Sequence, residues 1–505
     1  MNYTVCRSFE WLYPDVYEYK TASDRAVFSA CAGGFAAFQI FLTGIYGESI
    51  TVSCDGAELY EEIAIPVEAN AGLERESEHF PERKAPFEVY DCLKPYGGEI
   101  RSVRGVAAVY VALKVPCGVK ELSGTVEIRD GAETVFVPYH ITVKGSLPKE
   151  TLKIVMGLNL HNIKKYHGVQ SREEYLELET KYLSMLRRQH QNRLYVNAPF
   201  PDINGDEEPV YDEFDRYVEK ALSMGFNAFH LGGVGFRRSW DSHEILVMGM
   251  DSREKQARAF LKRHLSALRN HLKEKGWLEG DMFTIGIADE PNEYNAETYK
   301  ELARFVREII PEIKLYDAVS AAPIDGALDI WIPRSDEYEN NREIFEKRRK
   351  AGGEIWQYVC LFPRDGYINR FMDIPLLSTR YIYWGNYLYD LDGYLHWTVN
   401  DYQSDCDPFK ISCPAHLNAD KLSILPPGDD KLIYPGEREP WMSIRLENQR
   451  ESAEEYEMLK LIARKDKSAA DSLCRRGLRK FNEAQYDPCE FARLLEDLYS
   501  EYERV

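Results

Sequence analysis

The 505-residue sequence predicts a multidomain α/β protein. It divides into an N-terminal β-sandwich over residues 1–145, a central (β/α)8 barrel of the TIM type over 146–425, and a small C-terminal extension over 426–505, a hairpin and helices packed on the barrel. Three observations lead there. The chain is too long for one ordinary core. Its beginning is broken by turn residues at the spacing of short strands. Its middle alternates apolar strands with helical segments.

The sandwich rests on "SITVSCD", "RGVAAVYVALKVP", "GTVEIRDG" and "ETVFVPYHITVKG", which are rich in Val, Ile, Thr and Tyr and break at Gly, Pro or Asp. Such residues suit a pleated, half-buried surface, and evenly spaced short strands suggest two packed sheets. Residues 26–46, "AVFSACAGGFAAFQIFLTGIY", carry no charge and are about long enough to span a bilayer. Ser29, Gln39, Thr43 and the Gly33-Gly34 pair argue instead for two strands joined by a Gly-Gly turn.

The linker "GSLPKET" then changes the rhythm. Strands begin near residues 153, 193, 227, 282, 313, 328, 354 and 393, and helical segments separate all but the fifth and sixth. Ser171 and Glu174 have the spacing of a capping box at the head of one such helix. Eight alternations with no Gly-rich dinucleotide fingerprint favour a barrel over a doubly wound sheet. In the tail, "GDDKLIYPG" reads as a hairpin or loop, "SIRLENQRESAEEYEMLKLIARK" as a long amphipathic helix, and residues 488–503 as a last helix.

Composition excludes several classes. A net charge of −20 argues against nucleic acid and against anionic membrane surfaces as partners. The opening "MNYTVCRSFEWLYPD" has no basic stretch followed by an apolar one, so a cytoplasmic location without a signal peptide is expected. The ten Cys show neither CxxC pairs nor zinc spacing with His and are expected as reduced thiols. No cofactor or metal is called for. The acidic runs "SDEYEN" (335–340) and "GDD" (428–430) read as solvated loops rather than calcium sites. Nothing in the sequence speaks to oligomeric state.

The chemistry concentrates in "TIGIADEPNEY", residues 284–294. Asp289 and Glu290 stand at the C-terminal end of the fourth barrel strand, where barrel enzymes build their sites. Thr284, Gly286, Ala288 and Glu290 share one strand parity, small or polar as a barrel interior requires, so Glu290 is expected to point into the mouth. Acids are also common in the first turn of a helix, for purely structural reasons. Glycoside hydrolysis needs a carboxylic acid to protonate the leaving oxygen, and retaining enzymes commonly set a second carboxylate across the site. The seventh strand, "EIWQYVCLFPRDG", has Glu354 at the wrong end and Asp365 out in the following loop, and offers Tyr358 instead. That absence favours assistance by the substrate's own 2-acetamido group, one carboxylate serving as acid/base and its neighbour orienting the acetamide. Repulsion between the two should raise one pKa, as suits the residue that must stay protonated.

"ADEP" at 288–291, "LHWTVNDYQSDCDPF" at 395–409 and the stretch "GDDKLIYPG…PWMSIRLENQRESAEEYEMLKLI" resemble family 123 glycoside hydrolases and the wider group called domain of unknown function 4091. The resemblance covers most of the chain, including the order sandwich, barrel, tail. It implies a β-N-acetylgalactosaminidase working by substrate assistance, and the leading reading is an exo-acting β-N-acetylhexosaminidase that prefers N-acetylgalactosamine. By motif, Glu290 is then the acid/base and Asp289 the residue that positions the acetamide. By position alone, Tyr358 donates a hydrogen bond to the acetamide oxygen.

Further candidates for a carbohydrate substrate lie at strand ends. Trp397 on the eighth strand could form the floor of the sugar site or pack between barrel and helix, since His396, Thr398 and Asn400 make an equally good inward set. Asn400 and Asp401 are candidates for sugar hydroxyls. So are His161, Asn197 and His230, at or near the ends of the first, second and third strands, and each reads equally well as a structural polar group. Two other readings stay open: a hydrolase of a sugar lacking the acetamide, with Asp336 or Asp365 as the second carboxylate, and a catalytically silent carbohydrate-binding protein.

Overall fold

A computed structural model describes residues 1–505 except 72, 74–79, 202–207, 404–405 and 419–420. The protein is mixed α/β and multidomain. A seven-stranded sheet runs in the order Asn2–Arg7, Phe35–Thr43, Val106–Lys114, Ala57–Val67, Phe87–Pro95, Pro440–Ser443, Ile433–Pro435. A five-stranded sheet runs Ala26–Ala32, Glu133–Ser146, Glu121–Asp130, Ser49–Ser53, Ile100–Arg101. They share a core in which Phe38, Ile40 and Val109 of the first meet Phe28, Val126 and Ile141 of the second. Each such side chain contributes roughly 1.5–3 kcal/mol by leaving water. The uncharged segment 26–46 does form two strands around Gly33-Gly34, but not a hairpin. Ala26–Ala32 pairs with Glu133–Ser146 and Phe35–Thr43 with Val106–Lys114, so the turn is a corner between sheets. Gly33, at φ +86°, makes that corner without strain.

The central sheet is a nearly closed parallel barrel. Its strands are Lys153–Met156, Arg193–Val196, Ala228–Leu231, Phe283–Gly286, Lys314–Val319, Ile330–Pro333, a seventh in two pieces (Glu354–Ile355 and Gln357–Tyr358), and Gly393–His396. The seventh breaks at Trp356. Its first piece pairs with the sixth strand and its second with the eighth, so the break is where the barrel comes round on itself. Tyr316, Ile332, Trp356, Tyr358 and Leu395 fill the interior. Helices lie between successive strands except between the fifth and sixth, among the described residues. Ser171 and Glu174 form the expected capping box on Arg172–Arg188. A small antiparallel sheet between the third and fourth strands (Phe236–Arg237, Ile245–Val247, Met250–Asp251) has no counterpart in the sequence reading.

The tail departs most from expectation. Its hairpin extends the N-terminal sheet, with Met442 opposite Leu93, and also meets the barrel, where the amides of Leu432 and Ile433 donate to the Val399 carbonyl beyond the eighth strand at 2.9 and 3.0 Å. The helix Ile444–Lys465 is not a surface helix, for Arg445, Glu447, Arg450 and Glu455 are almost wholly buried. A buried charge without a partner is expensive; here Arg450 pairs with Glu447 and Glu454 of its own helix, while the other three find partners in different parts of the chain. Arg445 pairs with Asp91 of the N-terminal sheet at 2.9 Å. Glu455 accepts from Arg380 at 2.6 Å and from the Trp384 indole at 2.7 Å. His190 lies between Glu150 and Glu454, at 2.8 and 3.0 Å. The "GDD" run is likewise no solvated loop: Asp429 pairs with Arg370 at 2.7 Å and Asp430 with Lys431 at 2.9 Å, all four buried. "SDEYEN" is the helix Ser335–Asn340. No helix is long and apolar enough to cross a membrane, among the described residues.

Candidate active site

The fourth strand ends at Gly286. Beyond it the amides of Ile287 and Ala288 donate to one carboxylate oxygen of Asp317, at 3.0 and 2.9 Å. The Tyr299 hydroxyl donates to the same oxygen at 2.5 Å. Asp317 is a lone acid within the apolar fifth strand, and a buried carboxyl needs such donors. Burial pushes its pKa up to about 6 against them. The amide of Glu290 then donates to the Ala318 carbonyl at 2.9 Å. Held by the fifth strand in this way, the chain takes two consecutive left-handed residues, Asp289 at φ +41° and Glu290 at φ +42°. A non-glycine residue costs about 1–2 kcal/mol in that region. The alternation expected to carry Glu290 inward therefore stops at Gly286. A strained turn aims the carboxyls.

Glu290 accepts from the Tyr358 hydroxyl at 2.6 Å through Oε1, and Oε2 faces the Arg237 guanidinium at 3.7 Å. Arg237 stacks over Trp240, 4.4 Å from the ring centroid. Asp289 is the carboxyl whose pKa is driven up, by burial first and then by the charges of Glu290 and Asp317, against Arg237. The sequence reading expected the raised carboxyl to be the acid catalyst, whereas the rise falls on the neighbour. Asp289 is nevertheless solvent-exposed, so water screens part of the repulsion.

Across the mouth, on the side of the first, second and eighth strands, lies a cleft of about 800 Å³ lined by His161, Tyr195, Asn197, Trp397 and Asp401. Tyr195 links the two halves. It lines the cleft, and burial together with the charge of Asp289 holds its phenol well above the usual range. The eighth strand's parity is now explicit: Leu395 belongs to the barrel interior, while His396 faces outward toward Arg370 and Arg445. Trp397 thus follows Leu395 into the mouth. His161 and Asn197 are exposed in the cleft. Asp401 accepts from Asn159 Nδ2 at 3.2 Å, and burial pushes its pKa up.

Two candidates are not brought to this surface. Asn400 is fully buried, and its amide is spent on Asn159: Oδ1 accepts from the Asn159 amide at 2.7 Å and Nδ2 donates to its carbonyl at 3.0 Å. It fastens the eighth strand to the first helix. His230 is also fully buried, sharing a hydrogen bond with Thr284 at 2.9 Å and sitting edge-on to Tyr316 at 4.7 Å. Burial drives its pKa well down, so it is a neutral core residue. On the seventh strand, Glu354 is bound by Lys153 at 2.6 Å and Lys314 at 2.9 Å at the far end of the barrel. Burial pushes it up, but the lysines prevail and hold it at about 2. Asp336 is tied to Arg334 at 2.5 Å.

Arg237, Asp317 and Tyr299 were missed. Asp317 carried a signal, since an acid inside an apolar strand implies buried donors. Arg237 sits on the unforeseen insertion, whose alternation "EILVMGMD" around a Met-Gly turn was a strand signal passed over.

No match is found among curated protein sequences. Among solved structures, the chain is similar over its whole length to a family 123 glycoside hydrolase from Clostridium perfringens, solved in a study of glycolipid glycan hydrolysis. That likeness has a TM-score of 0.74 at 14% identity and covers 97% of the other chain. A β-galactosidase from the psychrophilic Marinomonas ef1 (TM-score 0.38, 11% identity, 68% of this chain and 65% of that one) is too remote to bear on the site. The same holds for a putative β-galactosidase from Bacteroides fragilis (TM-score 0.35, 9% identity, 90% of this chain and 60% of that one). The sequence itself is more decisive. The model of the glycoside hydrolase 123 catalytic domain matches residues 200–462, just over half of the chain, and takes in the acidic turn, Tyr358 and Trp397. The chain belongs to glycoside hydrolase family 123.

Proposed function

We propose that this glycoside hydrolase is an exo-acting β-N-acetylhexosaminidase that prefers N-acetylgalactosamine and works with retention through substrate assistance. One observation carries the reading. The two carboxyls at the fourth strand stand on consecutive left-handed residues, and the seventh strand answers them with the Tyr358 phenol rather than a carboxylate. We read the barrel as a (β/α)8 barrel whose fifth-to-sixth connection lacks its helix.

In the first step the acetamide oxygen of the bound sugar attacks its own anomeric carbon. The glycosidic bond breaks, and Glu290 gives its proton to the leaving oxygen. Asp289 accepts the acetamide N–H and balances the oxazolinium charge. In the second step Glu290 takes a proton from water, which attacks the same carbon and reopens the ring. The pair needs one proton in all. In the free chain Asp289 has the raised pKa; once the acetamide N–H reaches it, the proton belongs on Glu290. A protonated Glu290 no longer needs the Tyr358 hydroxyl, which is then free to donate to the acetamide oxygen. Trp397 floors the site, and His161, Asn197 and Asp401 are within the cleft for hydroxyl contacts.

Rates on aryl β-glycosides of N-acetylgalactosamine, N-acetylglucosamine and galactose test this. Cleavage confined to the acetamido sugars, fastest for N-acetylgalactosamine, is expected. Cleavage of the galactoside at a comparable rate would overturn the assisted mechanism.

A further inference from the structure

The seven-stranded sheet forks. Val106–Lys114 pairs with Ala57–Val67 only from Leu113 opposite Ala57 to Val109 opposite Glu61. Beyond Glu61 the second strand continues with Phe87–Pro95, while Ala108 to Val106 stay with Phe35–Thr43. The fork opens a fissure of about 730 Å³, the size of a small-molecule pocket, lined in part by Glu61, Glu62, Glu88, Tyr90, Lys94 and Arg101. Its walls bear both signs of charge with acids in excess, since Glu48, Glu99 and Glu437 also line it against a further cation, Arg104. Glu61 accepts from Lys94 at 2.9 Å and from the Arg101 amide at 3.2 Å.

Glu62 stands at the fork itself. It is 3% exposed, and neither carboxyl oxygen has a hydrogen-bond partner among the described residues. Burial pushes its pKa well up, toward the neutral carboxyl, which has one proton to donate and lone pairs to accept. Native chains satisfy nearly all their buried polar groups, and this one lines the fissure wall.

We propose that this fissure is a second saccharide-binding site, in which Glu62 hydrogen-bonds a sugar hydroxyl and Glu88, Lys94 and Arg101 hold the others. A hydroxyl donates and accepts at once, as the neutral Glu62 does. An anionic ligand would meet Glu61 and Glu88, and a cationic one would meet Lys94 and Arg101. A neutral polyol suits the mixture. In a chain whose barrel cleaves glycans, a second hold on the same glycan raises the effective concentration of its ends at the barrel mouth.

Calorimetric titration of the full chain with lactose, maltose and cellobiose tests this. At least one is expected to bind saturably, with affinity weakened on the order of tenfold in Glu62→Leu and in Arg101→Ala. Trp397→Ala should leave that binding unchanged, and turnover of an aryl glycoside should be unchanged in the two fissure variants. Should Glu62→Leu fail to fold, Arg101→Ala on the exposed rim decides. No binding of any of the three at tens of millimolar, equal binding by the variants, or binding of spermidine in place of the sugars overturns the proposal.

Discussion

Replacing Asp289 by Asn should make the protein more stable while destroying most of its activity. The substitution keeps the shape of the side chain and suits the left-handed backbone at φ +41°. What it removes is a charge held against Glu290 and Asp317. In the unfolded chain this carboxyl ionises near 3.8, whereas in the folded protein its pKa is pushed up to about 8. A raised acid destabilises the fold progressively as pH climbs from the unfolded value toward the folded one. At roughly 1.4 kcal/mol per pH unit, three units of that window amount to about 4 kcal/mol for a group sealed from water. Asp289 is exposed to solvent, so screening reduces the figure to about 1 kcal/mol. Urea unfolding of the parent and Asp289→Asn at pH 4 and pH 7 measures it. A gain of about 1 kcal/mol at pH 7 that fades toward pH 4 is expected. With it should come a fall in kcat of roughly 10²–10³-fold, the usual cost of losing one charge-stabilising group. A variant less stable at pH 7, or a gain independent of pH, would refute the claim that the acidic turn stores repulsion.

Three other outcomes follow. Glu290→Gln should lose nearly all turnover on an aryl N-acetylgalactosaminide with an unchanged circular dichroism spectrum, and substantial residual activity would remove Glu290 from the acid/base role. At His190, burial pushes the pKa down but Glu150 and Glu454 outweigh it, raising it from 6.5 to about 9. That stabilisation is full below about pH 6.5 and lost as pH rises through 9, so the stability advantage of the parent over His190→Asn should shrink by about 2–3 kcal/mol across that window in urea unfolding. Asp91→Ala should cost about 3–5 kcal/mol by leaving Arg445 buried and unpaired, and a loss under about 1 kcal/mol would deny that the pair joins sandwich and tail.

Much of the barrel was legible because its strands are short, apolar and separated by amphipathic helices with readable caps such as Ser171. The tail was not, because charged residues at helical spacing have the pattern of an exposed face. Arg445, Glu447 and Glu455 look like the polar face of a surface helix, and only Asp91, Arg380 and Gln189, whose side-chain amide donates to Glu447 at 2.9 Å, make them interior. The acidic pair was legible from its place at a strand end. Its geometry was not, since strand parity ends at Gly286 and the left-handed turn is imposed by Asp317 on another strand. Asn400 and His230 show the same limit. A polar residue near a strand end is as readily a fastener or a core group as a ligand, and only partners distant in sequence, Asn159 and Thr284, decide between them.

The central claim is that the sugar's own acetamide is the nucleophile. Proton NMR of the first-formed anomer from a β-N-acetylgalactosaminide, run beside inhibition by the matching thiazoline, tests it most directly. The account predicts the β-anomer first and competitive inhibition far tighter than that by the free sugar. An α-anomer formed first, or indifference to the thiazoline, would contradict it and send the search back to a water-activating or nucleophilic carboxylate elsewhere in the mouth.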